Sequence, residues 1–215
     1  MTIDELYRFV QFIANKDQRG FVKPSEFNLA ATRAQLDIIE EKFKEKNSHK
    51  NLDDLAPVTE KATITYSAGT NGAFTYPSNF LHFVSMTFNG KSVEIIGHEK
   101  LQNVLGSQIL APNADNPVAV MIDEGFEIYD GASEANAGVC VLTYIKEPSA
   151  PKWTYTSING ISVYNASAAD AQELTLPVST NKDIIHKILE YIGVSLREGD
   201  LVQFGTSFSL SSKEE

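Results

Sequence analysis

The chain has 215 residues, of which 42% are hydrophobic, and a formal net charge of -10. That length falls between one large domain and two small ones and can bury a sizeable core without crosslinks. With 28 acidic residues against 18 basic ones, it lacks the lysine and arginine surplus that a grip on nucleic-acid backbone requires, so nucleic-acid binding is excluded as its main work.

The first residues, Met1-Thr2-Ile3-Asp4-Glu5, are acidic where a secretory leader is basic, and no apolar run nears the roughly 20 residues of a membrane helix. The expectation is a soluble chain made in a reducing compartment. Thr2 and Glu5 form a capping box, and Ile3, Leu6, Tyr7, Val10 and Ile13 recur at helical spacing, predicting a helix to about residue 15. Gly20 breaks the pattern, and Pro24 opens a second helix reaching about residue 46. This helix has two apolar stripes, Leu29, Leu36, Ile39 and Phe43 beside Phe27, Ala31, Ala34 and Ile38. Such a helix is either wedged in its own core or turned in part toward a neighbouring subunit. The basic segment 42–50 is interleaved with Glu40, Glu41 and Glu45, as on a solvated helix face. Residues 47–57 then read as a linker ending at Pro57.

From residue 61 to 177 the pattern is strands and turns. An Asn89-Gly90 turn predicts a hairpin that pairs Met86 with Val93 and Val84 with Ile95. A second hairpin is expected to turn on the three residues Asp123-Glu124-Gly125, the glycine taking a left-handed conformation and Ile122 facing Phe126. A third turns at Asn159-Gly160, pairing Ile158 with Ile161 and Tyr155 with Tyr164. Between these lies the run 139–145, apolar on both faces and so expected to be a central strand. A short helix over 99–105 interrupts the strands. Helix returns at Thr180, with Asp183 completing a capping-box-like start and Ile184, Ile185, Ile188, Leu189 and Ile192 as its face, and ends at Gly193. Ser195 and Glu198 cap one more short helix to about residue 204, before a polar tail.

The expected fold class is α+β: an N-terminal helical pair and C-terminal helices packed with an antiparallel β-sandwich or partly closed barrel. The expected division is helices over 1–56, a β-domain over 57–178, completing helices over 179–205, and a tail over 206–215.

Residues that could carry chemistry are sparse. Cys140 lies in Val139-Cys140-Val141-Leu142 and reads as a small buried hydrophobe. His98-Glu99 starts like a zinc-protease helix, but Gln102 stands where the second histidine belongs. His82 sits among Phe80, Leu81 and Phe83, His186 on the polar side of its helix, and His49 in the linker. Asn113-Ala114-Asp115-Asn116 lacks the glycine and distal glutamate of a calcium loop and reads as a turn. The expectation is no enzyme, no metal and no cofactor. Trp153, Tyr155 and Tyr164 would form a sugar-binding platform if they stood exposed together, which makes a carbohydrate- or receptor-binding module the alternative.

The string Phe74-Thr75-Tyr76-Pro77-Ser78-Asn79-Phe80-Leu81-His82, followed by a strand and an Asn-Gly-Lys turn, resembles the Leu-Pro-x-Asp-Phe-Leu-like lead-in of tailed-phage head-tail connector proteins. Leu52-Asp53-Asp54-Leu55-Ala56-Pro57, Tyr144-Ile145-Lys146-Glu147-Pro148 with Pro151-Lys152-Trp153, and Leu174-Thr175-Leu176-Pro177 before the last long helix add to it. Together they are similar to the ring or adaptor proteins beneath the portal of podoviruses, above all crAss-like phages of Bacteroides, and to the tail tubular proteins A of T7-like phages. Asn79 stands where that pattern favours aspartate. The resemblance implies a virion neck or tail protein, assembled in the bacterial cytoplasm as a homo-oligomeric ring, a dodecamer. Its partners would be the portal and adjacent tail proteins, with genomic DNA passing through unbound and no membrane involved. Pro77, Phe80, Leu81 and Phe83 would be a joint clamping the hairpin onto the helices. Phe27, Ala31, Ala34 and Ile38, or their companions Leu36, Ile39 and Phe43, would make the ring contact, and residues after Phe204 would dock on the portal.

Overall fold

The computed structural model describes residues 1–16, 21–45, 49–66, 73–131 and 138–195. The chain divides into two compact units, one made of Met1–Val58 with the chain from Pro148 onward, the other of Thr59–Glu147. The architecture is α+β, with mainly antiparallel sheets and no closed barrel among the described residues.

The first unit contains helices α1 (Ile3–Lys16), α2 (Pro24–Lys44), α3 (His49–Leu55) and α5 (Asn181–Ser195), with the hairpin β9 (Tyr155–Ile158) and β10 (Ile161–Tyr164). The capping box that opens α1 forms as expected: Thr2 N–H donates to Glu5 Oε2 at 2.9 Å and Glu5 N–H to Thr2 Oγ1 at 3.2 Å. Ile3, Leu6, Tyr7, Val10 and Ala14 are its buried face. Along α2, Ala30, Ala31 and Ala34 let neighbouring helices approach closely, and Phe27, Ile38 and Ile39 fill the remaining space, all buried. Ile184, Ile188, Leu189 and Ile192 are the buried side of α5. His186 is buried too, at 7% exposure, rather than on a polar face; burial pulls its pKa below the ordinary value, and nearby Lys182 adds to the effect. At the start of α5 the Thr180 hydroxyl donates back to Pro177 O at 2.8 Å.

Residues 49–55, expected as linker, are helical. Asp54, 4% exposed, explains why the segment is held. Its carboxylate takes Lys42 Nζ at 2.7 Å and the Ser179 hydroxyl, so a charge-assisted buried cluster joins the ends of α2 and α3 to the start of α5. Pairing between residues far apart in sequence has no local periodicity to reveal it. Gln35, fully buried, does similar work: its side chain accepts from Thr175 N–H at 2.8 Å and donates to Ser149 O at 3.3 Å.

The second unit is a β-sandwich. One sheet runs β1 (Thr59–Tyr66), β8 (Gly138–Lys146), β3 (Phe80–Phe88), β4 (Lys91–Ser92); the other runs β2 (Ala73–Thr75), β7 (Gly125–Tyr129), β6 (Val118–Ile122), β5 (Glu94–Ile95). Met86, Phe88, Cys140, Leu142 and Tyr144 of the first sheet meet Phe74, Ala119, Phe126 and Ile128 of the second in one core. Helix α4 (His98–Leu105) packs against β6, which gives that strand buried residues on both faces, Val118 and Val120 as well as Ala119.

Three details depart from the sequence reading. The Asn89-Gly90 hairpin has the expected register, Thr87 opposite Ser92 and Val93 N–H bonded to Met86 O at 3.0 Å. Beyond Val93 the strand leaves: Glu94 and Ile95 pair in parallel with Val118 and Ala119 of the other sheet, so Val84 has no Ile95 opposite it. The second hairpin turns on two residues, pairing Ile122 with Gly125 and Met121 with Phe126. Gly125 serves close approach instead of a left-handed turn, since a Cβ there would lie 1.8 Å from Phe74 O of the adjoining strand. β8 is central, with β1 and β3 on its two edges, yet Val139 on its outer face is 44% exposed.

The third hairpin belongs to the helical unit, which moves the division from residue 178 to 147. The expected helix to residue 204 and the tail lie outside the described residues.

Candidate docking surface

The helical unit carries an aromatic knot built on Trp153. Asn28 of α2 treats Trp153 as a strand neighbour would, accepting its N–H at 2.8 Å and donating to its carbonyl at 3.3 Å. The indole N–H donates to Asp4 Oδ1 at 3.0 Å, while Asp4 Oδ2 holds Arg8 at 2.9 Å one turn along α1. Tyr7 lies across the indole with ring centroids 4.1 Å apart and meets Phe27 edge-on at 5.0 Å. Its hydroxyl donates to Val22 O at 2.9 Å. Burial raises the Tyr7 pKa, and the Gln11 hydrogen bond opposes it.

The hairpin closes over this knot. Tyr155 and Tyr164 stand opposite each other as the register predicts, and both stack on Trp153, at 5.8 and 5.7 Å. Alternation then turns Ile158, Ile161 and Val163 to the other face, where they are 55%, 68% and 43% exposed. β9 and β10 pair only with each other among the described residues, leaving two unpaired edges. Beside the hairpin a groove of about 550 Å³ is lined by Phe21, Ile161, Val163, Trp153, Tyr164 and the Asp4–Arg8 pair, among others. Phe21 is 60% exposed. No charged residue occurs from 153 to 169, so the hairpin contributes no charge to the groove, whose charged lining is the Asp4–Arg8 pair of α1. An exposed apolar surface of this kind is suited to docking.

Trp153 itself is 3% exposed, so the three rings do not form an open platform for a sugar. The α2 stripe Phe27, Ala31, Ala34 and Ile38, with Ile39, is 0–1% exposed and has no free area to bury against a second chain. Leu36 and Phe43 are half-buried, and the exposed member of the stripes is Leu29, at 67%. Of the expected joint, Phe80 and Phe83 pack against the sandwich's own core, with Phe80 against Tyr76, Phe126 and Tyr144. Leu81 is half-buried, and Pro77 O accepts Phe80 N–H at 3.0 Å in the turn that starts β3. Asn79 has a role of its own: its Oδ1 accepts the Tyr144 hydroxyl at 2.9 Å and its Nδ2 donates to Glu60 at 3.4 Å. An aspartate could not do the second.

Cys140 is fully buried and its thiol pKa is pushed up to about 12 by desolvation, which suppresses the thiolate on which cysteine chemistry depends. His98 is exposed and His82 half-buried, and His49's side chain lies outside the described residues. No group of three or more potential metal ligands clusters among the described residues. Asn113 Oδ1 is engaged by the N–H groups of Asp115 and Asn116, both at 3.0 Å, an Asx turn as expected. No helix among the described residues is long and apolar enough to cross a membrane.

Sequence reading missed Phe21, Ile161 and the apolar tip at Ile109 and Leu110 of the sandwich. For Ile161, Ile109 and Leu110 the available signal was the long uncharged stretches around them, 153–169 and 101–114, in a chain where 21% of residues are charged; Phe21, between Arg19 and Lys23, carried no such signal. No protein-family model matches the chain, and none of the curated proteins matches it in sequence.

Proposed function

We propose that the protein is a structural subunit of a phage virion, one copy in a head-tail connector or adaptor ring between portal and tail. The observation that carries this reading is that each unit presents its own exposed apolar surface: the outer face of the hairpin with Phe21 in the helical unit, and the Ile109-Leu110 tip of the sandwich. A chain with two separate sticky surfaces can hold two neighbours at once, which a ring subunit must do. The net charge of -10 suits a conduit wall, because an acidic lining does not bind the DNA that slides past it. The segment resemblances over 52–57, 74–82, 144–153 and 174–177 supply the class of virion part.

The test is a tagged pull-down from lysate of infected cells, followed by electron microscopy of the eluate. Near-stoichiometric recovery of a portal protein and ring-shaped particles supports the reading. A monomer that brings down no neck protein sinks it.

A further inference from the structure

We propose that residues 202–210 of the same chain lie along the free edge of β10 as a third strand and fill the groove beside it. The inference goes beyond the ring reading and holds for a single copy.

The edge is open by construction. β9 and β10 pair only with each other among the described residues. Five consecutive residues, 160–164, line the groove, and none of β9 does. Neighbours in a strand point to opposite faces, so what meets the groove is the edge of β10 with its backbone. Across a two-residue turn Ile158 and Ile161 exchange both ladder bonds, and the alternation directs the N–H and C=O of Ser162 and Tyr164 away from β9. Asn165 N–H, bonded to Thr154 O at 2.9 Å, keeps the same phase. Such an edge takes up an added strand through main-chain hydrogen bonds. The polar lining does not call for a charged ligand: Asp4 holds Arg8 and the indole N–H, and Gln11 donates to the Tyr7 hydroxyl at 2.9 Å.

The sequence after α5 has the matching pattern. Val202, Phe204, Thr206, Phe208 and Leu210 alternate with Gln203, Gly205, Ser207 and Ser209, the period of a strand with one apolar face. No charged residue occurs from 201 to 212. Placed along β10, the apolar face meets Phe21, Trp153 and Tyr164 in a groove of about 550 Å³. The polar face then continues the outer side of the hairpin, where Ile158, Ile161 and Val163 stay open to a neighbour.

The place where the chain leaves α5 selects this segment as the occupant. Lys187 Nζ lies 2.9 Å from Glu41, and one turn later the Tyr191 hydroxyl donates to Asp37, so α5 runs antiparallel to α2, toward its start. The next turn brings Ser195 level with Arg33, about 8 Å along the axis from Asn28, whose side chain holds the backbone of Trp153. Residues 196–201 span up to about 20 Å, enough to carry Val202 to the hairpin. A segment tethered so near meets the edge at an effective concentration of about millimolar, ahead of a free partner.

The experiment is residue-resolved amide hydrogen exchange by NMR on the full chain. In a bare hairpin the Ile161 and Val163 amides, bonded to β9, exchange slowly while those of Ser162 and Tyr164 exchange fast; an added strand protects all four. The expected result is protection of all four in the native chain. Phe204→Asp combined with Phe208→Asp should speed exchange at least about a hundredfold at 162 and 164 alone. Ser207→Asp, on the polar face, should leave all four protected. Fast exchange at 162 and 164 in the native chain overturns the proposal, as does protection that survives the double variant, since something other than this segment then supplies it. Sedimentation of the same samples identifies the donor: protection in a monomer supports the assignment to the same chain, and protection confined to multimers overturns it in favour of a strand lent by a neighbouring copy.

Discussion

Two hairpins in this molecule share one turn. Asn89-Gly90 has φ of 49° and 79°, and Asn159-Gly160 has 51° and 80°, the left-handed pair that a tight hairpin needs. Their surroundings differ completely. Beside the first turn, Met86 and Val93 are 2% and 6% exposed inside the sandwich; beside the second, Ile158 and Ile161 are 55% and 68% exposed. Turn chemistry sets which residues face each other, and it is silent on what covers them. Apolar side chains left uncovered on a well-formed hairpin are therefore the informative ones, because nothing among the described residues covers them.

The largest expected effect tests that contrast directly. Phe126→Ala should cost the sandwich about 3–5 kcal/mol in urea unfolding, since Phe126 is fully buried amid Phe74, Tyr76, Phe80 and Phe83. Ile161→Ala should change stability by under about 0.5 kcal/mol. Similar losses for both would mean that the hairpin face is covered in the free chain.

Glycines sharpen it next. Gly125→Ala places a methyl against the Phe74 carbonyl and should cost about 3 kcal/mol, because backbone has to move. Gly160→Ala meets nothing within 4 Å and pays only for its left-handed conformation, about 1 kcal/mol. Thermal melts of the two variants should rank in that order.

Asn79→Asp sets a carboxylate beside Glu60 and removes a donor, with an expected loss of about 1–2 kcal/mol at neutral pH. Adding Glu60→Gln should recover most of it, a result that a purely steric effect of the aspartate would not give.

The smallest effect is electrostatic and belongs to the helical unit. His186 has a folded pKa below its ordinary 6.5, so the unfolded chain binds the proton more readily. Stability should be fully present above that value and decline as pH falls below it. His186→Gln should flatten that slope, and an unchanged slope would assign acid sensitivity to other groups.

How much of this was legible in the sequence depends on the range of the interaction. The capping box of α1, both Asn-Gly turns, the Tyr155–Tyr164 pair and the burial of Cys140 are read from neighbours, and all are present. The α3 helix was missed because Asp54 is held by Lys42 and Ser179, partners that no periodicity connects. The two-residue turn before Gly125 was misread because a glycine can answer either to φ or to crowding, and the crowding atom belongs to β2. The exposed apolar face of the third hairpin went unread because exposure of an apolar residue is a property of the packed unit, and a strand of alternating residues looks the same whether its second face is covered or bare.

One consequence follows from the crossing of residues 91–95 between the two sheets. Lys91 and Ser92 are registered against Phe88 and Thr87 in one sheet, and Glu94 and Ile95, two residues later, against Val118 and Ala119 in the other. A slip by one residue in either sheet would turn its core side chains outward, and here it would also drag the adjoining strand out of step across the layer. Each sheet thus proofreads the alignment of its opposite through a single residue, Val93, and a sandwich under load would yield as a whole or hold as a whole, without its layers creeping past each other.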